Sequence, residues 1–177
     1  MKSFIHILRS RILPHILIVP CFLLLALLVP SSLCAADFDK GLRAAEAGDY
    51  AAAFAEWRPL AEQGLAGAQY NLGHMYYKGE VVPQDDAEAA KWYRRAAEQG
   101  VVEAQVNIGV MYAMGESVPK DYVLAHMWGN LARAQGMKRA DKLLELLEPR
   151  MSYQQIAKAR TLARKCEAQN YKNCDKL

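Results

Sequence analysis

Residues 66–100, AGAQYNLGHMYYKGEVVPQDDAEAAKWYRRAAEQG, return as VEAQVNIGVMYAMGESVPKDYVLAHMWGNLARAQG at residues 102–136. Gly64, Gly100 and Gly136 mark the edges of the unit, 36 residues apart. Between them Ala68/Ala104, Gln69/Gln105, Asn71/Asn107, Gly73/Gly109, Met75/Met111 and Tyr76/Tyr112 hold one register, as do Gly79/Gly115, Val82/Val118, Pro83/Pro119, Asp85/Asp121, Ala89/Ala125 and Trp92/Trp128. Self-similarity at such a period signals stacked supersecondary units, each unable to bury its apolar face alone. A stack of this kind presents a long surface rather than an enclosed cleft.

Within the unit the pattern is helical. Ala68, Leu72, Met75 and Tyr76 fall on one helix face, and Ala89, Trp92 and Ala96 form a small–large–small ridge on a second helix. Gly73 beside the first face admits a close neighbour. The spacing predicts a helix from Ala66 to about Tyr77 ending at Lys78-Gly79, then a loop. A second helix follows, from an Asp85 cap with Glu88 as capping-box partner to Gly100. Asp121 takes the cap in the second copy. No strand pattern is present, so the fold expected is all-α, an α/α superhelix of stacked antiparallel hairpins.

The flanks extend the array. Residues 37–64 read as a degenerate first hairpin, with Asp49 capping its second helix and Pro59 kinking that helix or tightening its last turn. Residues 137–177 read as a last pair of capping helices, about 138–148 and 153–168. Pro149-Arg150 breaks the chain, and Ser152 with Gln155 forms a second capping box, Met151 and Ile156 being spaced as a staple.

Residues 1–36 have a different character. Lys2, Arg9 and Arg11 precede an apolar run, Ile16 to Val29, and then Ser31-Ser32-Leu33-Cys34-Ala35-Ala36. This is the layout of a secretory leader cut after Ala36. The apolar run falls short of the roughly 20 residues that span a bilayer, so an uncleaved anchor is the weaker reading. Leu33 makes a poor lipobox. Contact with a membrane is then expected only through the leader, before cleavage. The chain is placed in the periplasm or outside the cell, in a Gram-negative envelope.

The formal charge of +3 is carried by Lys2, Arg9 and Arg11, which leaves the remainder neutral and without a global field to attract nucleic acid. The remainder is polarised nonetheless. Residues 37–136 hold 9 basic and 14 acidic side chains, and residues 137–177 hold 10 and 5. Cys21 and Cys34 leave with the leader. The remaining pair, Cys166 and Cys174, is most simply a disulfide that pins residues 170–173 against the last helix. No histidine lies nearby to complete a metal site.

These residues resemble the Sel-1-like repeat family, relatives of tetratricopeptide repeats. The family pattern, close to AxxxLGxMYxxGxGVxxDxxxAxxWYxxAAxxG, is met by Ala68, Leu72, Gly73, Met75, Tyr76, Gly79, Val82, Asp85, Ala89, Trp92, Tyr93, Ala96, Ala97 and Gly100. Ala104, Ile108, Gly109, Met111, Tyr112, Gly115, Val118, Asp121, Ala125, Trp128, Ala132 and Gly136 meet it again. The second loop glycine is replaced by Val81 and Ser117. Gly129 stands where an aromatic residue is usual, which predicts weaker packing of that helix. The resemblance implies a superhelix and an adaptor role, without naming a partner.

Groups for catalysis are scarce after Ala36: Ser117, Ser152, Thr161, His74 and His126. Ser152 is a helix cap. Ser117-Val118-Pro119-Lys120 matches SxxK literally, but it precedes the Asp121 cap in a loop, and no SDN or KTG element follows. Cysteine-rich relatives of the family have been linked to β-lactam binding, but they resemble repeats clamped by a cysteine pair per unit, which this chain lacks. Neither histidine has a second ligand four residues on, so no metal or cofactor is expected.

Helix residues off the stacking face are the candidates for binding. In the first unit they are Tyr70, His74, Tyr77 and Lys78, and in the second Val106, Val110, Ala113 and Met114. Val106 and Val110 read rather as partly buried by the capping helices. Asn71 and Asn107 hold either a bound backbone or a neighbouring hairpin, the latter being favoured. The expected protein is therefore a non-enzymatic, monomeric adaptor. It would bind a protein or peptide through Tyr70, Asn71, His74, Tyr77, Lys78, Asn107, Val110 and Met114. The alternative is an envelope hydrolase or a binder of cell-wall fragments or β-lactams.

Overall fold

The computed structural model describes residues 31–177, with side chains from Asp37 onward. The basic start and apolar run of the expected leader lie outside the described residues. Among the described residues eight α-helices follow one another: α1 Ser31–Glu46, α2 Tyr50–Glu62, α3 Ala66–Lys78, α4 Asp86–Ala97, α5 Val102–Met114, α6 Tyr122–Ala134, α7 Lys138–Leu147 and α8 Tyr153–Ala168. The cut expected after Ala36 falls inside α1. Among the described residues there is no strand, and no helix is long and apolar enough to cross a membrane.

Helix ends follow the local chemistry. Asp85 accepts from the backbone N–H groups of Ala87 and Glu88, and Asp121 from those of Val123 and Leu124. Gly79 and Gly115 end α3 and α5 with φ of +68° and +78°, a conformation that costs other residues a Cβ clash. Pro59 stays inside α2, and the last turn tightens as Gly64 N–H bonds the Ala61 carbonyl. Ser152 and Gln155 form the full reciprocal box. The box expected at Asp85 is only half made: Glu88 turns to Lys91, one turn along the exposed helix face, instead of reaching back to the cap.

Helices α1–α2, α3–α4 and α5–α6 form successive hairpins, and α2 packs on α3 as α4 packs on α5. A polar clamp repeats with the period. Gln69 Nε2 donates to the Ala61 carbonyl at 3.1 Å while Gln99 Nε2 donates to Gln69 Oε1 at 2.8 Å. Gln105 and Gln135 do the same one unit later, to the Ala97 carbonyl at 3.4 Å and to Gln105 Oε1 at 2.9 Å. Each buried amide thus ties a hairpin to the one before it, which satisfies groups that stacking has removed from water.

The C-terminal helices depart from the pairing expected of them. Helices α7 and α8 both pack on α6 rather than on each other. Gly129 explains why α7 comes so close. A Cβ there would meet Leu144 Cδ2 at 3.0 Å. In the first unit the equivalent aromatic, Tyr93, lies over Gly73, whose added Cβ would meet the ring at 2.8 Å. In the second unit Leu143 approaches Gly109 and Leu144 approaches Gly129. In place of the missing aromatic, α7 fills the space with leucines.

Candidate interaction groove

Tyr70, His74, Tyr77 and Lys78 project from α3, one turn apart, and Asn107, Val110 and Met111 from α5. Tyr93 of α4 and Arg139 of α7 complete a groove of about 320 Å³. The Tyr70 and Tyr93 rings lie 5.9 Å apart and tilted, close enough for favourable edge contact. Asn107 sits at the junction. Its Oδ1 accepts from Arg139 Nη2 at 3.1 Å, and Tyr70 and Tyr93 line the groove beside it. Burial raises the pKa of both tyrosines, so both stay neutral hydrogen-bonding groups at any physiological pH. The groove thus combines neutral phenols, an imidazole and two cations, Lys78 and Arg139, with the apolar side chains of Val110 and Met111.

Six of the eight residues expected to bind a partner meet in this groove. Met114 lies instead in an adjoining depression between α5 and α7, together with Val106, Val110 and Ala113. Asn71 faces a separate shallow depression with Tyr50, Trp57, His74 and Glu80. Val106 is fully buried against Ala132 and Ala140, in keeping with the expectation that the capping helices cover it. Arg139 was not legible as a groove residue. It lies outside the repeats, and its arrival depends on how α7 docks.

Two polar clusters elsewhere were also hidden in the sequence. Cys166 and Cys174 form a disulfide, with Cα atoms 5.1 Å apart. The tail it closes does more than rest on α8. Asp175 accepts from Arg94 Nε at 2.5 Å, from the Tyr112 hydroxyl at 2.6 Å and from Trp128 Nε1 at 2.9 Å. Burial and the bond to this carboxylate push the Tyr112 phenol up to about 12. Burial opposes the charge on Arg94, and Asp175 and Tyr112 together more than offset it.

His126, fully buried, is the centre of the second cluster. Its Nε2 lies 3.2 Å from Glu148 Oε1 and its Nδ1 lies 2.7 Å from Asn130 Nδ2. Burial lowers its pKa, so the neutral ring donates from Nε2 and accepts at Nδ1. Both nitrogens are therefore used in packing. Ser117 and Lys120 also lack a catalytic arrangement. Ser117 occupies a left-handed turn with φ +55°, and Lys120 Nζ lies over the Tyr122 ring, 5.0 Å from its centroid.

The Sel1 repeat model matches residues 66–101 and 102–137. The chain carries two Sel1 repeats. Its fold is similar to that of a protective antigen present in uropathogenic Escherichia coli strains displaying an SLR fold. The TM-score is 0.72 and the identity 30%, over 81% of this chain and 32% of that one. It is also similar to a Sel1 repeat protein from Oxalobacter formigenes, with a TM-score of 0.61 and 32% identity over 68% of this chain and 52% of that one. The chain therefore spans less than two thirds of either structure. No curated protein matches the sequence. Sel1 repeats generally serve as protein–protein interaction scaffolds. In this Sel1-repeat chain the stacking residues account for most of the repeated positions. The groove is lined largely by residues that differ between copies.

Proposed function

We infer that this protein is an exported adaptor that binds a protein or peptide of the bacterial envelope in the groove between α3 and α5. The carrying observation is the convergence of Tyr70, His74, Tyr77, Lys78, Asn107 and Val110 on one groove, with Arg139 supplied by α7. Neutral phenols offer large contact area with few rotatable bonds, a common feature of recognition surfaces. The two cations suit a peptide carboxylate, and Asn107 suits its backbone. The leader-like start and the disulfide agree with export, since disulfides persist in oxidising compartments. The protein acts as a monomer and without a cofactor in this reading.

The Tyr70→Ala, Tyr77→Ala double variant tests it. Neither tyrosine belongs to the fully buried core, so helical content by circular dichroism should not change. Retention of envelope proteins on the immobilised chain should be lost. Retention equal to that of the unaltered chain would discard the groove as the binding site.

A further inference from the structure

The depression between α5 and α7 differs from the first groove in size and chemistry. It encloses about 590 Å³. Its floor is aliphatic, built by Val106, Val110, Ala113, Leu143 and Leu147. Met114 and Leu146 stand at its edges, 60% and 62% exposed. Large apolar side chains so open to water, beside an apolar floor, cost solvation free energy that a partner would recover. Around the floor stand Lys120, Arg139, Lys142 and Arg150. Against these four cations the lining offers one acid, Glu116. Three of the ten basic residues of 137–177 stand here.

We propose that the α5–α7 groove is a second interaction site, and that it takes an acidic amphipathic helix of a partner protein. An aliphatic stripe at i, i+3, i+4 and i+7 would lie on the floor between Met114 and Leu146. Glutamates or aspartates flanking that stripe would face Lys142 and Arg150 on one side and Lys120 on the other. The charge pattern selects the sign of the partner: a basic helix with the same stripe would meet four like charges. The site exists because α7 lies against α5. The first repeat, whose next neighbour is a full hairpin, has no counterpart to Lys142 or Arg150. The groove is independent of the function proposed above, although the two share Val110 and Arg139.

The test uses the full chain and two synthetic helical peptides that share one leucine stripe, one carrying glutamate and the other lysine at the remaining positions. Fluorescence anisotropy should show the acidic peptide binding at least about tenfold more tightly than the basic one, with the difference shrinking as salt rises. The exposed pair Lys142→Glu, Arg150→Glu should weaken the acidic peptide by about tenfold. Tyr70→Ala with Tyr77→Ala should leave it unchanged, which separates this site from the first groove. Equal binding of the two peptides, absence of binding, or indifference to the charge reversal overturns the proposal. Preferential binding to phosphatidylglycerol vesicles would overturn it in favour of a lipid surface. Dimerisation abolished by Leu146→Glu would overturn it in favour of a second copy of this chain.

Discussion

Trp92 and Trp128 hold the same place in successive repeats, and their indole nitrogens end differently. Trp128 Nε1 donates to Asp175. Trp92 Nε1 is buried without an acceptor among the described residues, with Arg95 over its ring at 4.7 Å. The next residues diverge too: Tyr93 covers Gly73, while Gly129 admits Leu144. The common cause is the neighbour. The first repeat is followed by another hairpin of its own kind. The second is followed by α7, α8 and the disulfide-closed tail, which bring a carboxylate and two leucines. Identical positions in a repeat thus acquire different roles from what is stacked against them.

The tail carboxylate is the sharpest way to break this comparison. Asp175→Ala removes the acceptor of Arg94 Nε, the Tyr112 hydroxyl and the Trp128 N–H, and the loss should be about 3 kcal/mol, as for a partly buried ion pair broken on one side. Urea denaturation reads it. The paired variants Trp128→Phe and Trp92→Phe sharpen the point. The first should cost about 1 kcal/mol more than the second, because only it removes a made hydrogen bond. Equal costs would mean that the Asp175 contact contributes nothing to the difference between the repeats.

Restoring the family aromatic comes next in size. Gly129→Tyr forces a ring into space held by Leu143 and Leu144, and should destabilise by about 1–3 kcal/mol as an overpacked site. The change should also displace α7 and so disturb both grooves, through Arg139 in each. A rise in melting temperature would show instead that the second repeat retains room for the family residue.

The smallest effect contrasts the loops. Ser117 adopts φ +55°, whereas Val81, its equivalent, has a negative φ. Ser117→Gly should therefore stabilise by about 0.5 kcal/mol, by relieving a left-handed conformation at some cost in chain entropy. Val81→Gly should destabilise by about 0.5–1 kcal/mol, since it only adds freedom to the unfolded chain. Thermal melts of the two variants should move in opposite directions.

The legible part of the molecule was what repeats locally. Asp85, Asp121 and Ser152 announced helix starts, and Gly79 and Gly115 announced helix ends, because caps act over three or four residues. The stripe of Tyr70, His74 and Tyr77 followed from helical spacing alone. Arg139 and Asp175 carried no such mark. Each lies outside the period and acts on residues tens of positions away. The pairing of α7 with α8 was misread for the same reason, since a short connection between helices does not say which of them supplies the better partner.

By itself, the sequence determined the helices, their caps, the order of the hairpins and the residues that stack them, since all of these rest on interactions within one or two turns or one period. Tertiary structure alone decided where α7 and the tail dock. Docking turned one buried tryptophan into the partner of Asp175, filled the gap left by Gly129 with leucines, and set Arg139 between two grooves. Such contacts depend on shape and charge meeting across the stack, and no local pattern encodes them.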